Sequence, residues 1–274
     1  MRVTSEDAGK TLLAFLRDTL EEYPSVKAVK RAIEAGGCTI NGRVETFSTH
    51  RLREGDEIDI EFGEKTKKFS LEILFEDEHL LVYNKPPGQA SEDISEHFLV
   101  HRLDKDTSGV ILFAKTKKAQ DLLTNLFRKR EVEKIYLAIC DGKIEKNEWS
   151  VDNFLEKKAS YQGGALFGKA KKGEGKRAIT EFTLIKTSDT ASLVEARPQT
   201  GRTHQIRVHL KEDGYPVIGD YQYGKHFVCK EKPPRQMLHA SEIAFVHPYT
   251  KQQVRYQAPL LSDFLAVQKK LFGA

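Results

Sequence analysis

The larger, C-terminal part of the chain contains many strand-like patterns and few helical ones. In residues 71–75 apolar and polar side chains alternate, residues 76–78 form an acidic turn, and an apolar stretch returns over residues 79–83. Similar strand-like runs recur in residues 133–140, 178–185 and 191–198. Alternation with a period of two predicts strands. Because these strands mostly follow one another without a helix between them, the pattern predicts an α+β domain with a largely antiparallel sheet.

Three helices are predicted beside these strands. Apolar residues at helical spacing indicate helices over residues 116–130 and 261–271. Residues 204–213 alternate as a strand would, so their sequence permits either structure. However, Thr203 is a favourable N-cap residue and Gly214 suits the position after the last helical turn. We therefore predict a helix over residues 204–213.

Residues 1–62 carry the patterns of a small separate module. Apolar stripes predict helices over residues 11–20 and 26–35. The Asn41-Gly42 pair predicts a tight hairpin, because both central residues of such a turn need a positive φ. A further alternating strand follows the hairpin. The second helix carries a basic face formed by Lys27, Lys30 and Arg31.

Charge divides the chain near the end of this module. Residues 1–65 carry 10 basic and 13 acidic side chains, whereas the rest of the chain carries 34 and 27. Residues 64–69 are polar and basic, which is typical of a linker. We therefore predict domains over residues 1–64 and 65–274. Within the second domain, the glycine- and lysine-rich residues 157–177 predict a basic hairpin or loop.

Composition excludes several classes of protein. Hydrophobic residues make up 39% of the 274 residues and charged residues 31%, which excludes global disorder and a disulfide scaffold. No run of about 18 apolar residues could form a transmembrane helix. The N-terminal residues lack the apolar segment of a signal peptide, so we expect a cytoplasmic protein.

The sequence contains no recognisable metal or nucleotide motif. Cys38, Cys140 and Cys229 are far apart in the sequence and form no Cys-x-x-Cys pair. We therefore expect reduced thiols that pack in the interior rather than zinc ligands. The chain also lacks a P-loop and a Gly-x-Gly-x-x-Gly motif. These absences predict an activity without metal or cofactor.

Two polar strings stand out as candidates for chemistry. Residues 101–109, HRLDKDTSG, directly precede the apolar run VILFA, and functional groups are often found on loops at strand ends. Residues 199–207, QTGRTHQIR, lie at the start of a predicted helix, where free backbone amides can bind an anion such as phosphate. From these residues alone, the first string could instead be a solvated turn and the second the start of a capped surface helix.

Taken together, these strings resemble the RluA-type pseudouridine synthase family. The resemblance covers about residues 70–260, and HRLDKDTSG followed by GRTHQIRVH is its most specific part. It also rests on residues 73–88, 133–139, 196–224 and 237–248, which occur in the same order. Residues 1–62 resemble the S-four-type RNA-binding domain, which often precedes this catalytic domain.

The resemblance implies an isomerase that converts uridine to pseudouridine in structured RNA, with large-subunit ribosomal RNA as the expected substrate. Its fold would have a mixed, largely antiparallel sheet with flanking helices. The ribose bond moves from nitrogen 1 to carbon 5 of uracil, so no atom is gained or lost and no cofactor or metal is needed. The target nucleotide must be flipped out of its stack. We expect a monomer that binds neither DNA nor membrane.

Two alternatives to this enzyme remain open at the level of the sequence. The first is a non-catalytic RNA-binding or ribosome-assembly factor that keeps the fold. The second is a metal-dependent nucleic-acid enzyme, which an activity test in chelator would separate from the isomerase.

The resemblance also implies roles for individual residues. Asp104 would be the essential carboxylate, which either attacks the sugar or takes a proton beside the anomeric carbon. Arg207 would be the cation that keeps this carboxylate charged, and Tyr136 would stack near the uracil and help to remove the proton from carbon 5. Leu238 would pack beneath the pocket. The candidate RNA contacts are His101, Arg102, Arg202, His204, Lys27, Lys30 and Arg31.

Three further expectations concern the surroundings of Asp104. Arg102 would fill or brace the space that the flipped base leaves. Asp106 is expected to hydrogen-bond within its turn rather than to act as the nucleophile. Only residues 89–100 separate the NKPPG and HRLD strings, where the family usually has a longer insert. The rim of the site that faces RNA should therefore be reduced, which affects the choice of substrate more than the reaction.

Overall fold

The computed structural model describes residues 1–20, 29–30, 32–33, 37–45, 47–60, 71–161, 164–171 and 173–273. The chain divides into two compact units, Met1–Ser70 and Leu71–Ala274. The predicted linker at residues 64–69 lies outside the described residues, as do Lys27 and Arg31. Among the helices of the described residues, none is long and apolar enough to cross a membrane.

The first unit combines one described α-helix with a three-stranded antiparallel sheet. Helix α1 (Leu12–Thr19) begins after Thr11, whose hydroxyl accepts the Ala14 N–H, as the predicted helix requires. Strands β1 (Cys38–Ile40), β2 (Arg43–Val44) and β3 (Ile58–Ile60) pair in the order β2-β1-β3. Residues 29–30 and 32–33 are helical, in agreement with part of the predicted second helix.

The turn between β1 and β2 confirms the predicted hairpin. Asn41 has a φ of 52° and Gly42 a φ of 73°, so both central residues take the positive φ that this turn needs. The Asn41 side chain also accepts the Glu57 N–H, which ties the turn to the segment before β3. Leu12, Phe15, Val29, Ile33, Cys38 and Ile58 are buried together in the core of this unit.

The second unit is built on one mixed sheet. Its strands are β4 (Glu72–Glu76), β5 (Leu80–Lys85), β6 (Phe98–Leu99), β7 (Ser108–Ala114), β8 (Glu133–Asp141), β9 (Glu148–Tyr161), β10 (Gly164–Lys169), β11 (Lys176–Thr187), β12 (Ala191–Pro198), β13 (Leu238–Val246) and β14 (Gln253–Gln257). They run in the order β10-β9-β11-β12-β8-β13-β7-β5-β4, with β14 beside β13 and β6 beside β7. Of these pairs, β13 with β7 is parallel and the others are antiparallel, which confirms the predicted sheet. The basic segment after residue 157 forms the β9–β10 hairpin.

In the part of this unit that the structure describes, three α-helices cover the sheet and close two apolar cores. They are α2 (Lys117–Lys129), α3 (Gln205–Glu212) and α4 (Ser262–Phe272). Leu123 of α2 packs in one core with Leu112 of β7, and Leu210 of α3 packs in the other with Phe264 of α4. The prediction of Thr203 as the N-cap of α3 is wrong. The helix begins at Gln205, and its N-cap residue is His204 in the left-handed conformation.

The parallel contact between β7 and β13 brings the candidate residues to the middle of the sheet. Gly109 pairs with Ala240, and a Cβ added at Gly109 would lie 2.1 Å from the Ala240 carbonyl oxygen. Only glycine fits this close approach, and its φ of 114° is also one that glycine adopts readily. On the other side of β13, Ala240 pairs with Tyr136 of β8. The loop that holds Asp104 therefore ends beside the strands that hold Tyr136 and Leu238.

Candidate active site

Asp104 lies in the loop that leads into β7, and buried cations hold the backbone of this loop. The ammonium of Lys85 is fully buried and donates to the Pro86, Gln89 and Lys105 carbonyls at 2.8 to 2.9 Å. Burial lowers the pKa of Lys85 to about 8, against the opposing effect of the nearby carboxylates. Arg235, also buried, donates to the Asp106 carbonyl at 3.3 Å. These contacts fix the position of a loop that has no regular structure of its own.

The guanidinium of Arg207 joins Asp104 to a second carboxylate. Its Nη1 donates to Asp104 Oδ2 at 2.9 Å. Its Nε and Nη2 donate to the two oxygens of Asp220 at 2.6 and 2.8 Å, and Nη2 also reaches Gln222 Oε1 at 2.7 Å. The Asp220 side chain is 1% exposed and that of Arg207 7%, whereas Asp104 keeps 23% of its side chain exposed. Asp104 is thus the accessible end of the network.

The charges of this network determine the state of Arg207. Burial disfavours its cation, but the hydrogen bonds and charges of Asp220 and Asp104 outweigh burial and raise its pKa above the ordinary value. Arg207 is therefore a permanent cation. The guanidinium lies between two carboxylates, of which Asp104 is the one that solvent reaches.

Aromatic rings border the network. The Arg207 guanidinium carbon is 4.9 Å from the centroid of the Tyr223 ring, within the range of a cation–π contact. The Tyr223 hydroxyl lies 2.7 Å from His204 Nδ1 and accepts the Phe167 N–H at 3.0 Å. The other ring nitrogen of His204, Nε2, lies 3.9 Å from Asp104 Oδ1. His204, which the sequence marked only as an RNA contact, therefore faces the accessible carboxylate of Asp104.

Tyr136 and Leu238 occupy the strands next to this loop. Leu238 is 3% exposed and belongs to a core cluster against which Tyr136 packs. Burial and the charge of Asp104 raise the pKa of Tyr136 above its ordinary value. Its resting form at neutral pH is therefore the neutral phenol.

The structure places the His101 ring against β7 and α2. Its Nε2 accepts the Leu112 N–H at 3.0 Å, and its ring stacks on Phe127 with centroids 4.8 Å apart. Burial lowers the pKa of His101 to about 3, so the ring stays neutral. His101 thus packs between β7 and α2 and does not present a cation to RNA.

The remaining predicted RNA contacts are found at separate places. The side chain of Arg102 is 73% exposed and its Nε lies 3.0 Å from Glu92, so it stands at the rim of the Asp104 loop. Arg202 donates to the Arg177 carbonyl at 3.0 Å. Lys30 belongs to a helical stretch of the first unit, whereas Lys27 and Arg31 are outside the described residues.

A basic cleft adjoins the aromatic border of the site. It has a volume of about 400 Å³ and is lined by Leu155, Glu156, Lys157, Phe167, Gly175, Lys176, Gly201, Arg202 and Thr203. Three cations and one carboxylate line it, so it suits an anionic ligand such as a phosphodiester. Phe167 connects the cleft to the site, because its ring contacts that of His204 edge-on at 5.5 Å.

Sequence reasoning missed part of the network. It identified Asp104 and Arg207 but not Asp220, Gln222 or Tyr223, although all three lie in the GDYQYG string. The available signal was Asp220, an aspartate between apolar residues and tyrosines. Such a neighbourhood indicates burial, and a buried carboxylate needs a cation beside it. Among the described residues, no group of three His, Cys, Asp or Glu side chains could hold a metal ion. The three cysteines are buried, unpaired thiols, as predicted.

Comparisons with known proteins show which family this chain resembles. A family model described as RNA pseudouridylate synthase matches residues 87–212, a region that contains Asp104, Tyr136 and Arg207. Ribosomal large subunit pseudouridine synthase C of Escherichia coli is 32% identical over 99% of this chain and 96% of its own. The corresponding synthase D of Zymomonas mobilis is 35% identical over 73% of each chain.

Other relatives extend the likeness to structure. An uncharacterized RNA pseudouridine synthase of Bacillus subtilis, YjbO, is 30% identical over 89% of this chain and 96% of its own. The solved structure of human RNA pseudouridylate synthase domain containing 4 is 25% identical, covers 76% of this chain and 96% of its own, and has a TM-score of 0.64.

Proposed function

The chain belongs to the RluA-type family of RNA pseudouridine synthases, and we propose that it modifies large-subunit ribosomal RNA, with Asp104 acting on a flipped-out uridine. Membership makes it an isomerase that acts on RNA. The ribosomal substrate is supported by relatives named ribosomal large subunit pseudouridine synthases C and D. The basic cleft beside the site supports a polyanionic ligand.

One observation carries the catalytic part of the proposal. Asp104 is the exposed end of a buried carboxylate–guanidinium–carboxylate network. When a flipped base displaces water from Asp104, Arg207 compensates the negative charge that solvent no longer stabilises. Asp220 holds the guanidinium with two hydrogen bonds, so Arg207 does not have to be ordered when RNA binds. A preorganised charge of this kind is what catalysis by a carboxylate needs.

The reaction conserves atoms. In one route Asp104 bonds to carbon 1′ as the bond to nitrogen 1 breaks, and carbon 5 of the turned uracil then displaces the carboxylate. In the other route Asp104 removes the proton at carbon 2′ as the bond to nitrogen 1 breaks, and returns that proton to carbon 2′ as carbon 5 bonds to carbon 1′. In both routes carbon 5 then loses its proton and nitrogen 1 gains one. The geometry of the free enzyme favours neither route.

Tyr136 enters this reaction as a neutral phenol, because its pKa is raised. Its ring contacts the flipped uracil. Tyr136 helps to remove the proton from carbon 5 by relaying it through the phenol O–H, because no phenolate is present at rest to act as the base. Arg102, on the exposed rim, braces the RNA where the base has left the stack.

The substrate is tested by mapping pseudouridines in the RNA of a deletion strain against its parent. Sites that disappear in large-subunit RNA, and return when the wild-type gene is supplied, support the proposal. Loss of sites only in transfer RNA or messenger RNA would overturn the ribosomal assignment.

The catalytic residue is tested in the same strain with a matched pair of variants. Asp104→Asn should restore no pseudouridine, while Asp106→Asn, the same change two residues further on at an exposed side chain, should restore it fully. Restoration by Asp104→Asn would overturn the role of Asp104. Purified Asp104→Asn should still bind the RNA, because the substitution leaves the cleft and the rim unchanged.

A further inference from the structure

His204 has an unusual backbone and a constrained ring. Its φ of 56° is left-handed, a conformation that costs a non-glycine residue about 1 kcal/mol or more. Its ring lies edge-on between Phe167 and Tyr223, with centroid distances of 5.5 and 5.6 Å. A strained residue that the surrounding contacts hold in place is typical of a functional site.

The hydrogen bonds around Tyr223 determine which nitrogen of His204 carries the proton. The Tyr223 oxygen already accepts the Phe167 N–H, so its single proton is free to be donated. Among the described residues, His204 Nδ1 lies 2.7 Å from this hydroxyl and can accept its proton. Nδ1 is then an acceptor, and the proton of the neutral imidazole lies on Nε2. Burial, the largest effect, lowers the pKa of His204, which favours the neutral ring.

The Nε2–H of His204 faces an oxygen of Asp104 across a gap. The 3.9 Å between Nε2 and Oδ1 is too long for a direct hydrogen bond. The gap is wide enough for one oxygen atom that is hydrogen-bonded to both groups. Asp104 Oδ2 already accepts from Arg207, so Oδ1 is the oxygen that can accept from a substrate. The group that fits the gap accepts from an N–H and donates to a carboxylate, as a hydroxyl does.

We propose that His204 Nε2–H and Asp104 Oδ1 together hold the ribose 2′-hydroxyl of the target nucleotide, which makes His204 the residue that selects ribose over deoxyribose. The inference rests on the proposed function, because Asp104 must act beside carbon 1′. The 2′-hydroxyl is on the neighbouring carbon, is both donor and acceptor, and is the group by which a protein distinguishes RNA from DNA.

A cycle of two enzymes and two substrates tests the proposal. The substrate is the shortest fragment of large-subunit RNA that the mapping experiment identifies, with either uridine or 2′-deoxyuridine at the target position. Wild-type and His204→Leu enzymes are compared in single-turnover rates at saturating RNA. The cycle cancels the intrinsic effect of removing the hydroxyl on the glycosidic bond.

We expect His204→Leu to slow conversion of uridine about tenfold while it changes conversion of 2′-deoxyuridine less than twofold, since one hydrogen bond is lost. His204→Gln is the matched control, because glutamine has the same backbone preference as leucine but carries a side-chain amide donor. It should recover part of the ribose preference. Equal loss on both substrates would overturn the inference and leave the proposed function intact. No conversion of uridine by the wild-type enzyme would overturn both.

A second measurement does not depend on turnover. Nitrogen-15 spectra of the imidazoles should show His204 protonated on Nε2 in the free enzyme, with the His204→Gln spectrum identifying its signals among the nine histidines. Tyr223→Phe keeps the ring near Arg207 but removes the hydroxyl, so both tautomers should become populated and the ribose preference should fall several-fold. A proton on Nδ1 in the wild-type protein would contradict the proposal.

Discussion

Arg207→Met removes the guanidinium that Asp104 shares with Asp220, and we expect it to abolish most of the turnover. The side chain that is lost makes hydrogen bonds to Asp104, Asp220 and Gln222. Breaking a buried charge pair by removing one partner costs about 3–5 kcal/mol. Since each 1.36 kcal/mol is tenfold in rate, the single-turnover rate should fall about 10²–10⁴-fold.

This loss must be separated from a loss of stability, because Asp220 is 1% exposed and is left without its cation. Arg207→Met/Asp220→Asn removes both charges of the inner pair and should recover most of the thermal stability. It should not recover turnover, because Asp104 still lacks its cation. Thermal unfolding, followed alongside the rate, makes this distinction.

The assay is the release of the carbon-5 hydrogen from a saturating RNA that carries tritium at that position. Residues that act as a unit give non-additive losses, so Asp104→Asn/Arg207→Met should be no slower than Asp104→Asn alone. Near-normal turnover of Arg207→Met at neutral pH would refute the reasoning. Turnover that returns together with stability in the double variant would refute it as well.

Three other expectations concern RNA binding and cofactors. The predicted basic face of the first unit consists of Lys27, Lys30 and Arg31. Neutralising all three should flatten the salt dependence of RNA binding, by up to about one log unit of slope per lost contact. Turnover on saturating RNA should change little. Lys157→Gln and Lys176→Gln, in the cleft, should each reduce the same slope by up to about one, measured by filter binding at several salt concentrations. Enzyme treated with chelator and dialysed should keep full activity on a small transcript, and activity restored only by zinc would contradict this.

Local patterns predicted most of the secondary structure, because their causes are local. The Asn41-Gly42 turn follows from the backbone freedom of two residues. Helix α2 follows from its apolar stripe and from Thr116, whose hydroxyl accepts the Ala119 N–H. Helix α3 was ambiguous because residues 205–210 are all buried, so their polar side chains are not gathered on one solvent-facing side and alternate with apolar ones as in a strand.

Long-range pairing could not be predicted in the same way. Nothing in the sequence near residue 104 indicates that Asp220, more than a hundred residues away, shares its cation. The packing of His101 is unpredictable for a similar reason, since a histidine in a charged string gives no sign that its ring stacks on Phe127. Arg207 and Asp104 were paired by family resemblance rather than by physical pattern.

The central place of β13 has a consequence for synthesis on the ribosome. It is the strand that joins β8 to β7, so without it the sheet falls into two separate groups of strands. The loop that holds Asp104 leads into β7 of one group, and Tyr136 lies in β8 of the other. A nascent chain shorter than residue 238 therefore cannot assemble the site, however well each group has formed. Because the closing contacts join residues far apart in the sequence, such as Ser108 and His239, closure is expected to be a slow step of folding, and activity requires that β13 has been synthesised.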